Sequence, residues 1–342
     1  MVKTKIIATL GPASIERNII RQMIKNGADI IRINFSHASF DFAEKALNEI
    51  KSANRDLRRD VKILADLKGN RIRVKGIKSP FLLSKNKIVR IGTDYSKEKN
   101  TDILFDYLGN FLKVKTGDRI FIEDGKIELK VIEIGKYFLK ARSLSAGEIK
   151  NSKGVNFPDT DLDFPNLSEE DKEDLKFVLN NDFSYIAQSF VRNEKDIKTI
   201  REISKKSKFK PKIIAKIENR QAVENLRKII SASDGAMVAR GDLAISTDFY
   251  KVPILQKKII AEAKSQNKFT IIATQMLESM TYNPLPTRAE ASDAANAVFD
   301  KAEFVMLSGE TAAGAYPSQS VKALNLIIKE AEKYLRENGG KI

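Results

Sequence analysis

Four pairs of polar or ionic residues stand two positions apart at the ends of short apolar runs: Arg32/Asn34, Asp66/Lys68, Lys216/Glu218 and Arg240/Asp242. In an extended chain that spacing puts both side chains on one face. Ser189, Thr274, Ser308 and Glu310 close further runs. Any one of these residues could simply end a strand and meet solvent. Ionic groups arriving together from six runs argue instead for a shared site. Glu218 and Asp242 lie one repeat apart, and two carboxylates with open water positions suit Mg2+ or Mn2+, hard ions often completed by substrate phosphates. The competing reading is a pair of solvated helix caps, which Glu218 before Asn219 would allow. Lys216 weighs against it. An ammonium buried beside a divalent cation is costly unless negative charge arrives with the substrate, and an enolate or phosphoryl oxygen is such a charge.

Composition narrows the chemistry further. The 342 residues contain no cysteine, which removes thiolate metal sites, disulfides and thiol nucleophiles. One histidine, His37, leaves no multi-histidine metal site and a single candidate for any Ser-His-Asp triad. Acid–base work must therefore run on carboxylates, lysine, hydroxyls and bound water. The net charge of +15 suits phosphorylated ligands, nucleic acid or an acidic surface, but the lysines are scattered, as on an ordinary solvated surface. Met1–Leu10 runs into Gly11-Pro12 without the apolar stretch of a secretory signal, and no run approaches eighteen apolar residues. These features lead to the expectation of a cytoplasmic protein with no membrane partner.

The elements that must position these residues are eight runs: 5–11, 29–35, 61–67, 185–190, 212–218, 235–240, 269–275 and 303–309. Their near-continuous apolar character, as in "DIIRINF" and "KIIAKIE", suits strands buried on both faces. Amphipathic segments separate them, for example 15–26, 193–204 and 253–266, with Ser168 and Asn193 placed to start helices. Eight β-then-α units indicate an α/β fold, a (β/α)8 TIM barrel. More than a hundred residues separate the third and fourth runs. Within them "RIFIEDGKIELKVIEI" alternates with period two around Asp124-Gly125, a hairpin signal. The expected division is a barrel in two parts, 1–68 and 161–342, with a small β-rich domain at 69–160 inserted after barrel strand three. Without those roughly 90 residues about 250 remain, the usual size of a TIM barrel.

Seven motifs in order resemble the pyruvate kinase family: "TKIIATLGPAS", "IRINFSHAS", "IIAKIEN", "MVARGDLA", "ATQMLESM", "PTRAEASDAANAV" and "MLSGETAAGAYP". The glycines of the last would be weak evidence alone, and it lacks the Lys-Ser/Thr of a P-loop. The insertion falls where that family carries its mobile lid. The resemblance implies transfer of the phosphoryl group of phosphoenolpyruvate to ADP, giving pyruvate and ATP in glycolysis. It implies that Glu218 and Asp242 hold Mg2+ or Mn2+, and that Lys216 stabilises charge on the bridging oxygen and the enolate. Arg32 would hold the phosphoryl group, with the catalytic Arg73 and the turn Asn34, Phe35, Ser36 and His37 on the nucleotide side. Gly241 and Asp242 would bind the substrate carboxylate through backbone N–H groups, together with the Thr274 hydroxyl. A water ordered by Thr274 and Ser308 would deliver the proton, and Lys153 of the lid would reach the nucleotide phosphates on closure.

Three departures from the family pattern carry expectations of their own. Where the commoner form has Thr and Glu, this chain has Leu67 and Arg71. Forms with Leu and a Lys there resemble cation-independent enzymes, so the positive Arg71 implies activity without K+. The competing reading keeps a monovalent-cation site at Asn34, Ser36, Asp66 and Leu67, with Arg71 facing solvent. The sequence stops at Ile342 without the family's C-terminal effector domain, which implies no sugar-phosphate activation and a dimer through barrel helices. Arg288, Asp293 and Asn296 lie at helical spacing and suit either that interface or the substrate. Third, Ala244 and Ser246 stand where Gly and Glu are usual. Two other functions fit parts of the pattern. A Mg2+-dependent barrel aldolase or lyase of pyruvate-like enolates leaves Arg73, Lys153 and the lid without a purpose. A basic nucleic-acid-binding protein fits poorly with the absence of tryptophan and of any aromatic-plus-basic repeat.

Overall fold

A computed structural model describes residues 3–95 and 101–339. The outer limits expected at residues 1 and 342 lie outside the described residues. The barrel strands are Lys5–Thr9, Ala28–Asn34, Lys62–Asp66, Tyr185–Gln188, Lys212–Ile217, Gly235–Ala239, Phe269–Ala273 and Phe304–Leu307. They pair in parallel with their chain neighbours, and the last pairs with the first, which closes the barrel. Each stops one or two residues short of the apolar run that marks it. Those trailing residues have left the ladder to form the rim.

Period two explains why the rim is polar while the interior is not. Aromatic side chains Tyr185, Phe269 and Phe304 meet edge to face at the start of their strands. Above them lies a layer that includes Ile7, Ile30, Leu64, Ile214, Met237 and Ile271. Two residues further along each strand the same inward row continues as Thr9, Arg32, Asp66, Lys216, Ala239 and Ala273. The apolar layer seals the barrel from below, so the charged layer is solvated from one end alone. The outward rows pack under the helices as a second core. Among the described residues no helix is long and apolar enough to cross a membrane.

Between the third and fourth barrel strands the chain forms a second closed barrel of seven short strands with its own core, including Val74, Ile91, Phe105 and Leu129. The hairpin expected around Asp124-Gly125 joins Arg119–Ile122 to Ile127–Ile134. The two connecting segments are pinned at the rim. Arg192 donates to the carbonyls of Phe164 and Pro165 at 2.9 Å, and Asn70 to that of Pro165 at 2.9 Å. Gly69 has φ +70°, and a Cβ there would lie 2.7 Å from the Ser189 carbonyl oxygen, so only glycine lets the outgoing segment pass.

The helix Glu169–Asn180 returns the chain to the barrel, capped by the Ser168 hydroxyl, which accepts from the Asp171 N–H at 3.0 Å. Asp171 accepts from the Gly69 N–H, and Asp174 lies 3.5 Å from Lys68. Burial pushes the Asp174 carboxyl up to about 6, against the pull of Lys68. An acid raised above its ordinary 3.8 stabilises the fold at low pH and loses that contribution as pH rises through about 6. Asp174→Asn removes this loss. Urea midpoints should show the wild type falling relative to the variant, by on the order of 1 kcal/mol, from about pH 4 to pH 7. Parallel curves would rule the assignment out.

Candidate active site

A cavity of about 830 Å³ lies between the barrel mouth and the inserted domain. One ionic row crosses its floor. Arg32 Nε donates to Asp66 Oδ2 at 2.7 Å and its Nη1 to the Thr9 hydroxyl at 3.0 Å. Lys216 Nζ stands 3.2 Å from Asp66 Oδ1 and 3.0 Å from Glu218 Oε1. The Ser189 hydroxyl accepts from Lys216 at 2.7 Å and donates to Asp66 at 3.2 Å. Burial alone would strip the charge from Lys216, but Asp66 and Glu218 outweigh it and hold the ammonium protonated. Burial likewise opposes the Asp66 charge, and Lys216 with Arg32 keeps its pKa below the usual carboxylate range.

Glu218 differs. Burial pushes it up, Lys216 pulls it down, and the neighbouring Asp242 charge pushes it up again, so it stands above its ordinary value. Its Oε2 accepts the Phe190 N–H at 2.6 Å. Two carboxylates facing one cavity fit a hard divalent cation, with water and substrate oxygens filling its other positions. Among the described residues no group of three or more His, Cys, Asp or Glu forms a metal-binding set. Asp242 reaches the cavity from the first turn of the helix Arg240–Thr247, because the strand ends at Ala239. The shared-face argument for Arg240 and Asp242 is therefore corrected. Arg240 turns to Asp293 at 2.8 Å and to the Thr274 carbonyl at 2.7 Å.

That contact supports an unusual turn. Thr274 has φ +70° and Gln275 φ +52°, costly for a β-branched residue and typical of functional loops. The Thr274 hydroxyl faces the cavity, donates to the Ala273 carbonyl at 2.6 Å and accepts the Gly241 N–H at 2.9 Å. The Gly241 N–H expected to meet a substrate carboxylate is thus held by Thr274. A Cβ on Gly241 would make only ordinary contacts, so packing within the chain does not demand glycine there. Ser308 also lines the cavity, its N–H held by Glu310, which is buried and accepts the Leu277 N–H as well. Glu310 thus ties the seventh and eighth strand ends together.

On the other side Asn34, Ser36, His37, Arg73 and Lys153 line the same cavity. Burial, then Arg32, Arg73 and Arg71, lower the His37 pKa and keep its ring neutral. Lys153 pairs with Glu123 at 2.9 Å. Phe35 is a correction: its ring is 1% exposed and packs against Phe40, Phe177 and Phe183, because it falls on the outward row of its strand. Leu67 is also a buried core side chain. Arg71 is half-buried. Its guanidinium meets Asp242 and Asp124, while the Asp66 oxygens are taken by Arg32, Ser189 and Lys216. Ser246 accepts the Arg220 N–H at 3.2 Å, beside an Arg220–Asp161 ion pair of 2.9 Å.

Sequence reasoning left Thr9, Glu123 and Asp124 out of the site and named Ser189 only as a strand-end residue without a role. Ser189 had a signal, its place at the end of the fourth run. Asp124 stood out only as a turn residue, and Glu123 and Thr9 carried no sign of their long-range partners.

A family model described as the pyruvate kinase barrel domain matches residues 1–321. Proteins named pyruvate kinase from Staphylococcus aureus strains MRSA252 and USA300 are each 40% identical over 337 residues, covering 97% of this chain. The chain spans 57% of the length of those relatives. With seven motifs, a closed eight-stranded barrel and an inserted β domain in agreement, the chain belongs to the pyruvate kinase family.

Proposed function

We propose that this chain transfers the phosphoryl group of phosphoenolpyruvate to ADP, giving pyruvate and ATP, the pyruvate kinase step of glycolysis. The observation that carries the reading is Lys216, held charged between Asp66 and Glu218 at the floor of a basic cavity that an inserted domain covers. Glu218 and Asp242 would hold Mg2+ or Mn2+, which as a Lewis acid supplies stabilisation of charge on substrate oxygens. Arg32, fixed at two of its nitrogens by Asp66 and Thr9, presents a preset cation to the phosphoryl group. Lys216 stabilises negative charge as it moves onto the enolate oxygen. Arg73 and Lys153, carried by the inserted domain, suit the phosphates of ADP, with Asn34, Ser36 and His37 at its edge. Thr274 and Ser308 order the water that protonates the methylene carbon. Closure of the inserted domain excludes water and so protects the phosphoryl group from hydrolysis.

Arg71 and the committed Asp66 carboxylate support activity without K+. Exposed Phe249 and Tyr250, which lead into the helix Val252–Ser265, and exposed Tyr282 and Leu285, which precede the helix Arg288–Phe299, support a homodimer through barrel helices, whereas Asp293 serves Arg240 within the chain. A cytoplasmic location accords with the reading. The test is ATP formation from phosphoenolpyruvate and ADP with Mg2+ in potassium-free sodium buffer, alongside aldol cleavage of pyruvate-like acids. ATP formation that K+ raises less than about two-fold is expected. Activity restored only by K+ would remove the Arg71 part of the reading, and aldol cleavage without ATP would replace the reading altogether.

A further inference from the structure

Arg71 stands where the inserted domain meets the barrel, and its guanidinium joins carboxylates from both. Nη2 lies 3.0 Å from Asp124 Oδ1, in the hairpin turn of the insert, and 3.3 Å from Asp242 Oδ1, at the barrel mouth. The route of the side chain is built for it. A Cβ on Gly154 would sit 2.6 Å from both Nε and Nη2, so a side chain there would push the guanidinium aside. The Phe190 ring lies 5.8 Å from the guanidinium, and the Phe190 N–H is the donor that holds Glu218. Arg71 Nε is buried and makes no hydrogen bond, so the two acids fix the guanidinium.

An Asp242 oxygen in contact with a guanidinium cannot also take a divalent ion without placing two cations side by side. We propose that Arg71 is the resident counter-cation of the ion site: it occupies Asp242 until the divalent ion arrives and then gives it up. Because the same nitrogen holds Asp124, the exchange frees the insert's hairpin turn from its tether at the barrel mouth. Ion binding and the position of the inserted domain are thereby linked, and by reciprocity a displaced insert raises ion affinity. This rests on Glu218 and Asp242 being the ion's ligands.

The experiment is a Mn2+ titration followed by electron paramagnetic resonance on the full chain without substrates, for wild type, Arg71→Gln, Gly154→Ala and Glu218→Gln. Arg71→Gln should bind Mn2+ about three- to ten-fold more tightly. Gly154→Ala keeps the arginine charge but pushes the guanidinium out of its channel, and should also bind more tightly. The chain has no cysteine, so spin labels on cysteines at exposed Leu112 and Leu326 report the insert-to-barrel distance cleanly. Mg2+ should shift that distance in wild type, and both Arg71→Gln and Gly154→Ala should show the shifted distance without metal. Wild-type affinity and distance in both variants would overturn the proposal. Tighter binding in Arg71→Gln but not in Gly154→Ala would also overturn it, because charge alone would then suffice. Wild-type Mn2+ binding in Glu218→Gln would instead sink the ligand assignment, and the proposal with it.

Discussion

Lys216→Met will lower kcat by about 10³-fold or more while the chain still binds a divalent ion. The ammonium is preset between Asp66 and Glu218 at 3.2 and 3.0 Å, with Ser189 as a third partner, so it needs no reorganisation when charge appears on a substrate oxygen. Removing a single preorganised donor from a desolvated site typically costs 10²–10³ in kcat, and a buried charge exceeds a neutral donor. Methionine fills the same space without charge. The substitution also leaves two buried carboxylates short of a partner, and breaking such a set costs about 3–5 kcal/mol. Steady-state kinetics must therefore be read below the variant's melting temperature, with circular dichroism showing native structure. A folded variant with kcat within ten-fold of wild type would remove Lys216 from the chemistry.

Glu218→Gln and Asp242→Asn form the second large effect. Each keeps shape and removes one negative charge from a two-carboxylate set, and among the described residues no third acid is placed to compensate. If the ion supplies about 4 kcal/mol of charge stabilisation, its loss lowers kcat/KM by about 10³-fold. The two variants should not have equal structural consequences. Glu218 is buried and holds the Phe190 N–H, which an amide oxygen can still accept, so its fold survives. Asp242 holds Arg71, so its amide loosens the inserted domain as well. Kinetics at raised Mg2+ check this: weakened binding recovers as the ion is increased, whereas a misshapen site does not.

What could be read in the sequence, and what could not, divides along one line. Barrel strands announce themselves because both faces are buried and the apolar run is nearly continuous. The spacing pairs Lys216 with Glu218, because it carries the inward row past the strand end. The same rule failed at Asp242, where the strand stops at Ala239 and a helix begins at once. At Phe35 the rule holds and what the resemblance implied does not: Arg32 and Asn34 point inward, so Phe35 points out into the helix layer. Thr274, Gln275 and Phe190 adopt positive φ, which no propensity reveals for such residues. The closed shape of the insert was hidden because strands as short as Gly154–Asn156 carry no usable period. Arg71–Asp242 and Arg220–Asp161 are contacts across long sequence separations made by the segments that connect the two barrels, and local pattern holds no record of them.

The central claim is that a single divalent ion rests on Glu218 and Asp242 beside a charged Lys216. Mn2+ titration of four proteins tests it most directly. Wild type should bind one ion per chain, Glu218→Gln and Asp242→Asn should each weaken binding by about 100-fold, and Lys216→Met should retain it. Wild-type affinity in both carboxylate variants would contradict the account.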